Sequence, residues 1–245
     1  ADGRDLSHSH ANWWKNWNNG KMDGFANSAA NNFAYSYVPQ TDVVTYWKLA
    51  STYTFGDRMF QSNTGPSFVA HQYMIAGQSG NVSGNPSTGV WGCDADASTR
   101  VSVIGPNGTE LPGPYPCFDY LTMADLLDAR GISWRYYTPG PGDTFSSLLS
   151  AFRAIRQIFF GPDWTTKVIT PESTVLTDIQ NGHLAHVTWI IPSMARSDHP
   201  MSASNEGPDW VGSIVNAIGA SKYWNSTAIF ITWDDWGGWY DHVAP

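Results

Sequence analysis

The segment from Ala228 to Val243 (AIFITWDDWGGWYDHV) contains residues with clear potential for chemistry. Its apolar first half predicts a buried strand, and Asp234 and Asp235 follow that strand directly. Two adjacent carboxylates are costly to bury without a cation, and hard divalent cations take oxygen ligands. Gly237 and Gly238 let the backbone turn sharply beside the pair. The spacing alone leaves two interpretations open, a metal site and a solvated turn with aspartate caps.

Ser67 is the second residue of interest, because it follows the turn Thr64-Gly65-Pro66 at the predicted start of a helix. A serine at this position is most often an N-cap, and the residue type alone favours that interpretation. A hydroxyl there also lies among free backbone N–H groups at the positive end of the helix dipole, where phosphate binds. A bound metal would lower the pKa of the hydroxyl and make it a nucleophile.

Histidines supply the remaining candidates for acid–base chemistry. His199 lies in the loop that follows the predicted strand Val187–Ile191, at the sheet edge where the two aspartates are expected. His8 and His10, with Asp5, form a polar cluster near the start of the chain. A loop histidine is more often a surface residue than a catalytic one, so both interpretations stay open from residue type alone. His183 and His186 lead into a strand and are interpreted as structural.

Composition limits the class of protein. The chain has 245 residues, 14% charged and 14% aromatic side chains, 13 tryptophans and a formal net charge of −8. Low charge and high aromaticity exclude a disordered chain. An acidic chain without a basic stripe is a poor partner for nucleic acid. The sequence has no run of 18 apolar residues, so it predicts no transmembrane segment. The composition is typical of an extracytoplasmic protein that faces carbohydrate or lipid.

Two cysteines bracket a stretch rich in Gly, Pro and Asn. Cys93 and Cys117 do not have the Cys-x-x-Cys spacing of metal or redox motifs, so a disulfide is expected, with two buried thiols as the alternative. A disulfide would indicate an oxidising compartment, and we expect a periplasmic or secreted protein.

Helix and strand patterns alternate along the chain, which predicts an α/β fold with a mainly parallel central sheet flanked by helices. We expect one domain over residues 1–245. Helices are predicted at 42–49 with Asp42 as N-cap, from Ser67 onward, and at 122–129, 143–160 and 211–218. Strands are predicted around Val90 and at 101–104, 132–137, 187–191 and 228–233. Ligands of such sheets bind at the carboxyl ends of the strands.

Five segments resemble a bacterial phosphoesterase family that contains non-haemolytic phospholipases C and an acid phosphatase. This family belongs to the alkaline-phosphatase-like superfamily. The segments are DLSHSHANWWKNWNNGKMDGF (5–25), GPSFVAHQYMIAGQS (65–79), CFDYLTMADLLDARGISWRYY (117–137), VTWIIPSMARSDHP (187–200) and ITWDDWGGWYDHVAP (231–245). They keep the family order over nearly the whole chain, so the resemblance implies an alkaline-phosphatase-like fold.

The resemblance also implies roles for individual residues. Ser67 matches the nucleophile, which is phosphorylated and contacts the metal. Asp234 and Asp235 match two ligands of one divalent metal ion, which could be Ca, Mg, Mn or Zn. His199 matches a histidine near the phosphoryl group that could protonate the leaving oxygen. His8 matches another active-site histidine, with His10 as the alternative if the alignment shifts.

The chain departs from the family pattern in two places. Phe68 to His71 follow the matched nucleophile, where members usually carry Pro-Asn-Arg. The family's N-terminal strand ends in Glu-Asn, and both residues help to bind the metal. That strand would precede Ala1, and a further C-terminal segment would follow Pro245. We therefore expect the sequence to be the middle part of a longer member, incomplete at both ends.

The expected function is metal-dependent hydrolysis of phosphoric esters through a phosphoserine, of the phospholipase C or acid phosphatase type. The expected partner is a small phosphate ester or a phospholipid headgroup. One alternative is a secreted, aromatic-rich binding module with a structural metal. The other is a family member that has lost its activity.

Overall fold

The computed structural model describes residues 4–27, 33–140, 142–143, 148–202 and 204–245. Its α-helices are α1 (His10–Trp17), α2 (Val44–Thr52), α3 (Ser67–Ala76), α4 (Met123–Asp128), α5 (Arg156–Phe159), α6 (Asp163–Thr166), α7 (Thr174–Gln180) and α8 (Glu206–Gly219). Its strands are β1 (Ser102–Ile104), β2 (Glu110–Pro112), β3 (Trp134–Tyr137), β4 (Val168–Ile169) and β5 (Val187–Ile190). Short 3-10 helices span Phe25–Asn27, Phe33–Tyr35, Gln40–Asp42, Ala151–Ala154, Met194–Arg196 and Trp224–Ser226. None of the helices in these ranges is long and apolar enough to cross a membrane.

A parallel sheet has β3 at its centre, between β4 and β5. Tyr136 of β3 pairs with Val168 on one side and with Trp189 on the other. Three of the four β3 residues are aromatic, and aromatic side chains favour strands. Trp134 and Tyr136 pack into one hydrophobic core, whereas Tyr137 packs into a second. A strand buried on both faces is typical of a parallel sheet.

Helices cover both faces of this sheet. The first core joins β3 to α3, α4 and α5 through Ile75, Ala124, Leu127, Phe152, Ile155 and Ile158. The second core joins Tyr137 to α7 and α8 through Val175, Ile179, Trp210, Ile214 and Ile218. The structure is therefore mixed helix and sheet, compatible with the α/β class, with three parallel strands among the described residues.

A separate antiparallel pair is formed by β1 and β2, with Val103 opposite Leu111. The strand predicted at 101–104 is thus confirmed, whereas the residues around Val90 form none. The predicted capping box of α4 is confirmed, since the Thr122 N–H donates to Asp125 Oδ2 at 2.7 Å. The prediction for α2 was wrong about its start: Asp42 ends a 3-10 helix, and Val43 takes the N-cap position.

The amphipathic pattern over 143–160 predicted one long helix, and this was wrong for the residues that the structure describes. A 3-10 helix spans Ala151–Ala154, Ile155 is extended, and α5 covers only Arg156–Phe159. Residues 144–147 lie outside the described residues. Tertiary hydrogen bonds replace helical ones here, because the Ala151 N–H donates to the Tyr136 hydroxyl and the Arg156 N–H to the Phe118 carbonyl.

The segment 228–233 was predicted to be the last buried strand, and the structure corrects this. The segment is not paired as a strand with any described part of the chain, and Phe230 is 89% exposed. Ile229 alone packs against the core formed by α7 and α8. An apolar, β-branched sequence predicts a strand correctly only when a neighbouring strand is present to accept its hydrogen bonds.

A disulfide joins Cys93 to Cys117, as the sequence predicted. The Cys93 N–H also donates to the Arg153 carbonyl, and the Arg153 guanidinium pairs with Asp94. The loop before Cys117 is therefore fixed to the 3-10 helix Ala151–Ala154, which packs against β3.

Candidate active site

Ser67 is the first residue of α3, and Pro66 rather than Ser67 takes the N-cap position. The hydroxyl is therefore not used as a helix cap. It donates a hydrogen bond to Asp235, with 2.8 Å between Oγ and Oδ2. Ser67 is 7% exposed. The N-terminus of α3 thus presents a buried hydroxyl beside a carboxylate that is 168 residues away in sequence.

The backbone after Asp235 folds back onto its carboxylate. The Gly237 N–H donates to Asp235 Oδ1 at 2.7 Å, while Oδ2 accepts from Ser67. Gly237 adopts φ +60° and Gly238 φ +81°, which are left-handed conformations that glycine adopts readily. The two glycines therefore make the sharp turn that the sequence predicted, and Asp235 is held on both oxygens.

His71 lies one helical turn after Ser67 and contacts the other aspartate. Its Nε2 is 3.4 Å from Asp234 Oδ2, and its side chain is buried. Its Nδ1 is buried without a hydrogen-bond partner in the described structure. From the sequence, His71 stands out only as part of a departure from the family pattern. The i, i+4 spacing from Ser67 to His71 on a helix could have indicated it, because such residues share one helical face.

The two aspartates differ in their affinity for a proton. Burial raises the pKa of Asp234, but the hydrogen bond and charge of His71, together with the Ser67 hydroxyl, outweigh burial and lower it to about 2. Burial and then the charge of Asp234 raise the pKa of Asp235, against the opposing effect of His8. Asp234 is therefore the more acidic of the two aspartates.

His8 lies close enough to Asp235 for its charge to influence the pKa of that carboxyl group. Its Nδ1 is 2.7 Å from the Leu6 carbonyl oxygen. Because that oxygen can only accept, Nδ1 carries the proton, and Nε2 of the neutral ring is left as the acceptor. A Cβ on Gly238 would lie 2.6 Å from Leu6 Cβ, so only glycine permits this close approach. Gly238 therefore lets the segment with His8 reach the aspartate loop.

His10, the alternative to His8, is buried and engaged at both ring nitrogens. Its Nε2 accepts from Trp14 Nε1 at 3.2 Å, and its Nδ1 lies 2.6 Å from Thr64 Oγ1. His8 therefore lies near the aspartates. His10 instead connects α1 to the turn before Ser67.

His199 lies in the loop after β5, where the sequence predicted it. Its Nδ1 accepts from the Met201 N–H at 3.3 Å, and its own N–H donates to Ser197 Oγ. The predicted role of His199 at the leaving group stays a prediction.

A polar cavity of about 520 Å³ borders this cluster. It is lined by residues that include Asp5, Ser7, His8, Pro66, Asn85 and Glu110. The cavity therefore connects His8 with the residue before Ser67. Another cavity, of about 550 Å³, is lined by Asp119, Leu121, Phe160 and their neighbours and shares no lining residue with the first.

The cluster offers oxygen atoms that could act as ligands of a hard cation. Asp234 and Asp235 supply carboxylates and Ser67 a hydroxyl, and the 2.8 Å hydrogen bond brings Ser67 and Asp235 together. Within the described ranges, no group of three or more His, Cys, Asp and Glu side chains is arranged to hold a metal ion. The cluster thus fits part of a metal-ligand set.

The described residues thus combine a three-stranded parallel sheet with a hydroxyl at a helix N-terminus beside paired carboxylates. A model of the Phosphoesterase family matches residues 2–245. The chain therefore belongs to the phosphoesterase family.

The chain is also similar to proteins named phospholipase C from bacteria. The chain is 28% identical to a non-hemolytic phospholipase C of Burkholderia pseudomallei, over 99% of this chain and 35% of that protein. It is 26% identical to a non-hemolytic phospholipase C of Pseudomonas aeruginosa, over 94% of this chain and 32% of that protein. It is 24% identical to phospholipase C A of Mycobacterium tuberculosis, over 94% of this chain and 44% of that protein. The chain thus spans about a third to under a half of these relatives.

Proposed function

We propose that this protein hydrolyses phosphoric esters with the help of a divalent metal ion, through a phosphoserine at Ser67. The observation that carries the proposal is the buried Ser67 hydroxyl, which donates to Asp235 at 2.8 Å from the N-terminus of α3. Membership of the phosphoesterase family and relatives named phospholipase C support the reaction class.

In the proposed reaction the chain's own residues orient and stabilise the reacting groups. Asp235 fixes Ser67 Oγ for in-line attack on phosphorus, and the positive end of the α3 helix dipole stabilises the phosphoryl oxygens. The Oγ–P bond forms as the bond from phosphorus to the leaving oxygen breaks, and the Ser67 proton passes to Asp235 Oδ2, which accepts its hydrogen bond. A histidine that is protonated on both ring nitrogens, either His8 or, as the sequence predicted, His199, gives a proton to the leaving oxygen. Water then attacks phosphorus and gives a proton to that histidine, the Oγ–P bond breaks, and Ser67 Oγ recovers its proton from Asp235.

Asp234, Asp235 and Ser67 would hold the metal ion, which could be Ca, Mg, Mn or Zn, and their oxygens favour the harder ions. When bound, the ion would neutralise charge on the phosphoryl oxygens and lower the pKa of the hydroxyl. The adjacent carboxylates supply the negative charge that such an ion needs.

We also propose that the three parallel strands belong to a larger, alkaline-phosphatase-like sheet. The relatives' names favour a phospholipid headgroup as substrate, while a small phosphate monoester remains the alternative. The disulfide supports a periplasmic or secreted location, because such bonds persist in oxidising compartments.

The test is hydrolysis of p-nitrophenyl phosphate and p-nitrophenylphosphorylcholine, each with and without a chelator. Turnover that the chelator removes and added metal restores would support the proposal, and the preferred substrate would separate phosphatase from phospholipase C. A folded, metal-loaded protein that turns over neither substrate would contradict it. That result would favour a binding module or an inactive family member.

A further inference from the structure

We propose that Gln61 is a positioning residue that holds the turn before Ser67 against the loop that carries the two aspartates. This inference rests on the proposed function, because it assigns Gln61 to the geometry of that same site. Gln61 is not one of the catalytic or metal-binding residues described above.

The carboxamide of Gln61 bridges two distant segments of backbone. Its Nε2 donates to the Asn63 carbonyl at 2.6 Å and to the Gly65 carbonyl at 3.1 Å. Its Oε1 accepts from the Trp236 N–H at 2.8 Å. A primary amide has two N–H donors on one atom and an acceptor on the other, and all three contacts match that chemistry. Turning the amide over would lose all three contacts, so its orientation is determined.

These contacts connect the two sides of the candidate site. Asn63 and Gly65 belong to the turn that ends in Ser67, and Trp236 is the residue after Asp235. The direct bond between Ser67 and Asp235 is therefore supported by a second link through Gln61, between segments 175 residues apart. Together with the contact between His71 and Asp234, these two links hold the segments in a fixed relation.

The turn itself has little freedom apart from this link. The Gly65 N–H donates to Asn63 Oδ1 at 2.7 Å, and His10 contacts Thr64 at 2.6 Å. A Cβ on Gly65 would lie 2.8 Å from a methyl carbon of Val69, so the turn packs directly on α3. Gln61 helps to fix the position of the aspartate loop relative to this turn.

We infer from this geometry that Gln61 aligns the segment of Ser67 with the segment of the two aspartates. Gln61 contacts neither the Ser67 hydroxyl nor either carboxylate, so it acts through the backbone of both segments. A displacement of about 1 Å at reacting atoms can reduce a rate about 100-fold. Loss of Gln61 should therefore slow phosphoryl transfer to Ser67 more than it weakens substrate binding.

The test compares Gln61→Met with Gln61→Glu. Methionine has a similar length but forms none of the three hydrogen bonds. Glutamate can accept from the Trp236 N–H but cannot donate to the two carbonyls. Gln157→Met is the matched control, because Gln157 Nε2 donates to the Tyr120 carbonyl at 3.1 Å, away from the site.

We expect both Gln61 variants to lower kcat by roughly 10- to 100-fold with KM little changed, and Gln157→Met to match the wild type. A single-turnover experiment with enzyme in excess over substrate separates positioning from folding. A purely structural loss reduces the fraction of active enzyme and leaves the single-turnover rate constant at saturation unchanged, whereas lost alignment lowers that rate constant.

A wild-type single-turnover rate constant in both Gln61 variants would overturn the role of Gln61, because any fall in kcat would then reflect a smaller fraction of active enzyme. Failure of the proposed function would look different, since the wild-type protein itself would then show no turnover.

Discussion

The carboxylate of Asp235 has two separable properties, its charge and its ability to accept a hydrogen bond from Ser67. Asp235→Asn removes the charge and keeps an acceptor oxygen at the same position. We expect a loss of hydrolysis of at least about 100-fold and weaker metal binding, because ligand charge rather than the hydrogen bond holds the ion.

Isothermal titration with metal and steady-state assays measure these two effects. Asp209→Asn serves as the control, since Asp209 is exposed on α8 and distant in sequence from the cluster. Wild-type metal affinity and turnover in Asp235→Asn would remove Asp235 from the site.

Among individual residues, the sequence predicted those whose residue type itself indicates catalysis or metal binding. Ser67, His8 and the aspartates follow from short motifs and from the family resemblance, and the structure brings these four together. His71 and Gln61 could not be predicted in the same way. The i, i+4 spacing places His71 on the helical face of Ser67, but the contacts of His71 and Gln61 with the segment around Asp235 are visible only in the fold.

At the scale of elements, the close approach of two loops determines where His8 lies. Gly238→Ala would place a Cβ against Leu6 in a conformation that non-glycine residues adopt at a cost of about 1–2 kcal/mol. We expect this variant to be destabilised by more than that amount and to lose most of its activity, because the His8 segment must move away.

Gly131→Ala is the matched control, since Gly131 also has a positive φ but has open space around its Cβ position. It should lose about 1–2 kcal/mol of unfolding free energy and keep its activity. Urea denaturation and hydrolysis assays measure both quantities. Equal losses of stability and activity in the two variants would argue against the close approach.

The elements that the sequence predicted well have strong local signals. The capping box fixed α4, and the aromatic and β-branched runs fixed β3 and β5. The prediction of a long helix over 143–160 failed because the backbone N–H groups of Ala151 and Arg156 donate to the Tyr136 hydroxyl and the Phe118 carbonyl rather than along a helix. The strand at 228–233 failed because pairing depends on a neighbour that local sequence does not reveal.

For the whole molecule, the disulfide constrains the loop-rich region between α3 and α4. Cross-linking a loop of this length stabilises a protein by about 3 kcal/mol in the chain-entropy model. We expect the double variant Cys93→Ser/Cys117→Ser to lose about that much unfolding free energy in guanidinium and to retain activity when folded, since neither cysteine contacts the Ser67 cluster.

Reductant supplies the control for this prediction. It should destabilise the wild-type protein to the same degree and leave the double variant unchanged. A double variant as stable as the wild type would show that the core, rather than the cross-link, holds this region.

The central claim is that Ser67 is the nucleophile, and trapping the covalent intermediate tests it most directly. The protein is mixed with p-nitrophenylphosphorylcholine or p-nitrophenyl phosphate, quenched in acid within milliseconds and digested for mass spectrometry. We predict a phosphoryl-derived adduct on the peptide that contains Ser67, absent from Ser67→Ala and retained in the helix-internal control Ser213→Ala. Full turnover in Ser67→Ala, with no adduct on the wild-type peptide, would contradict the claim.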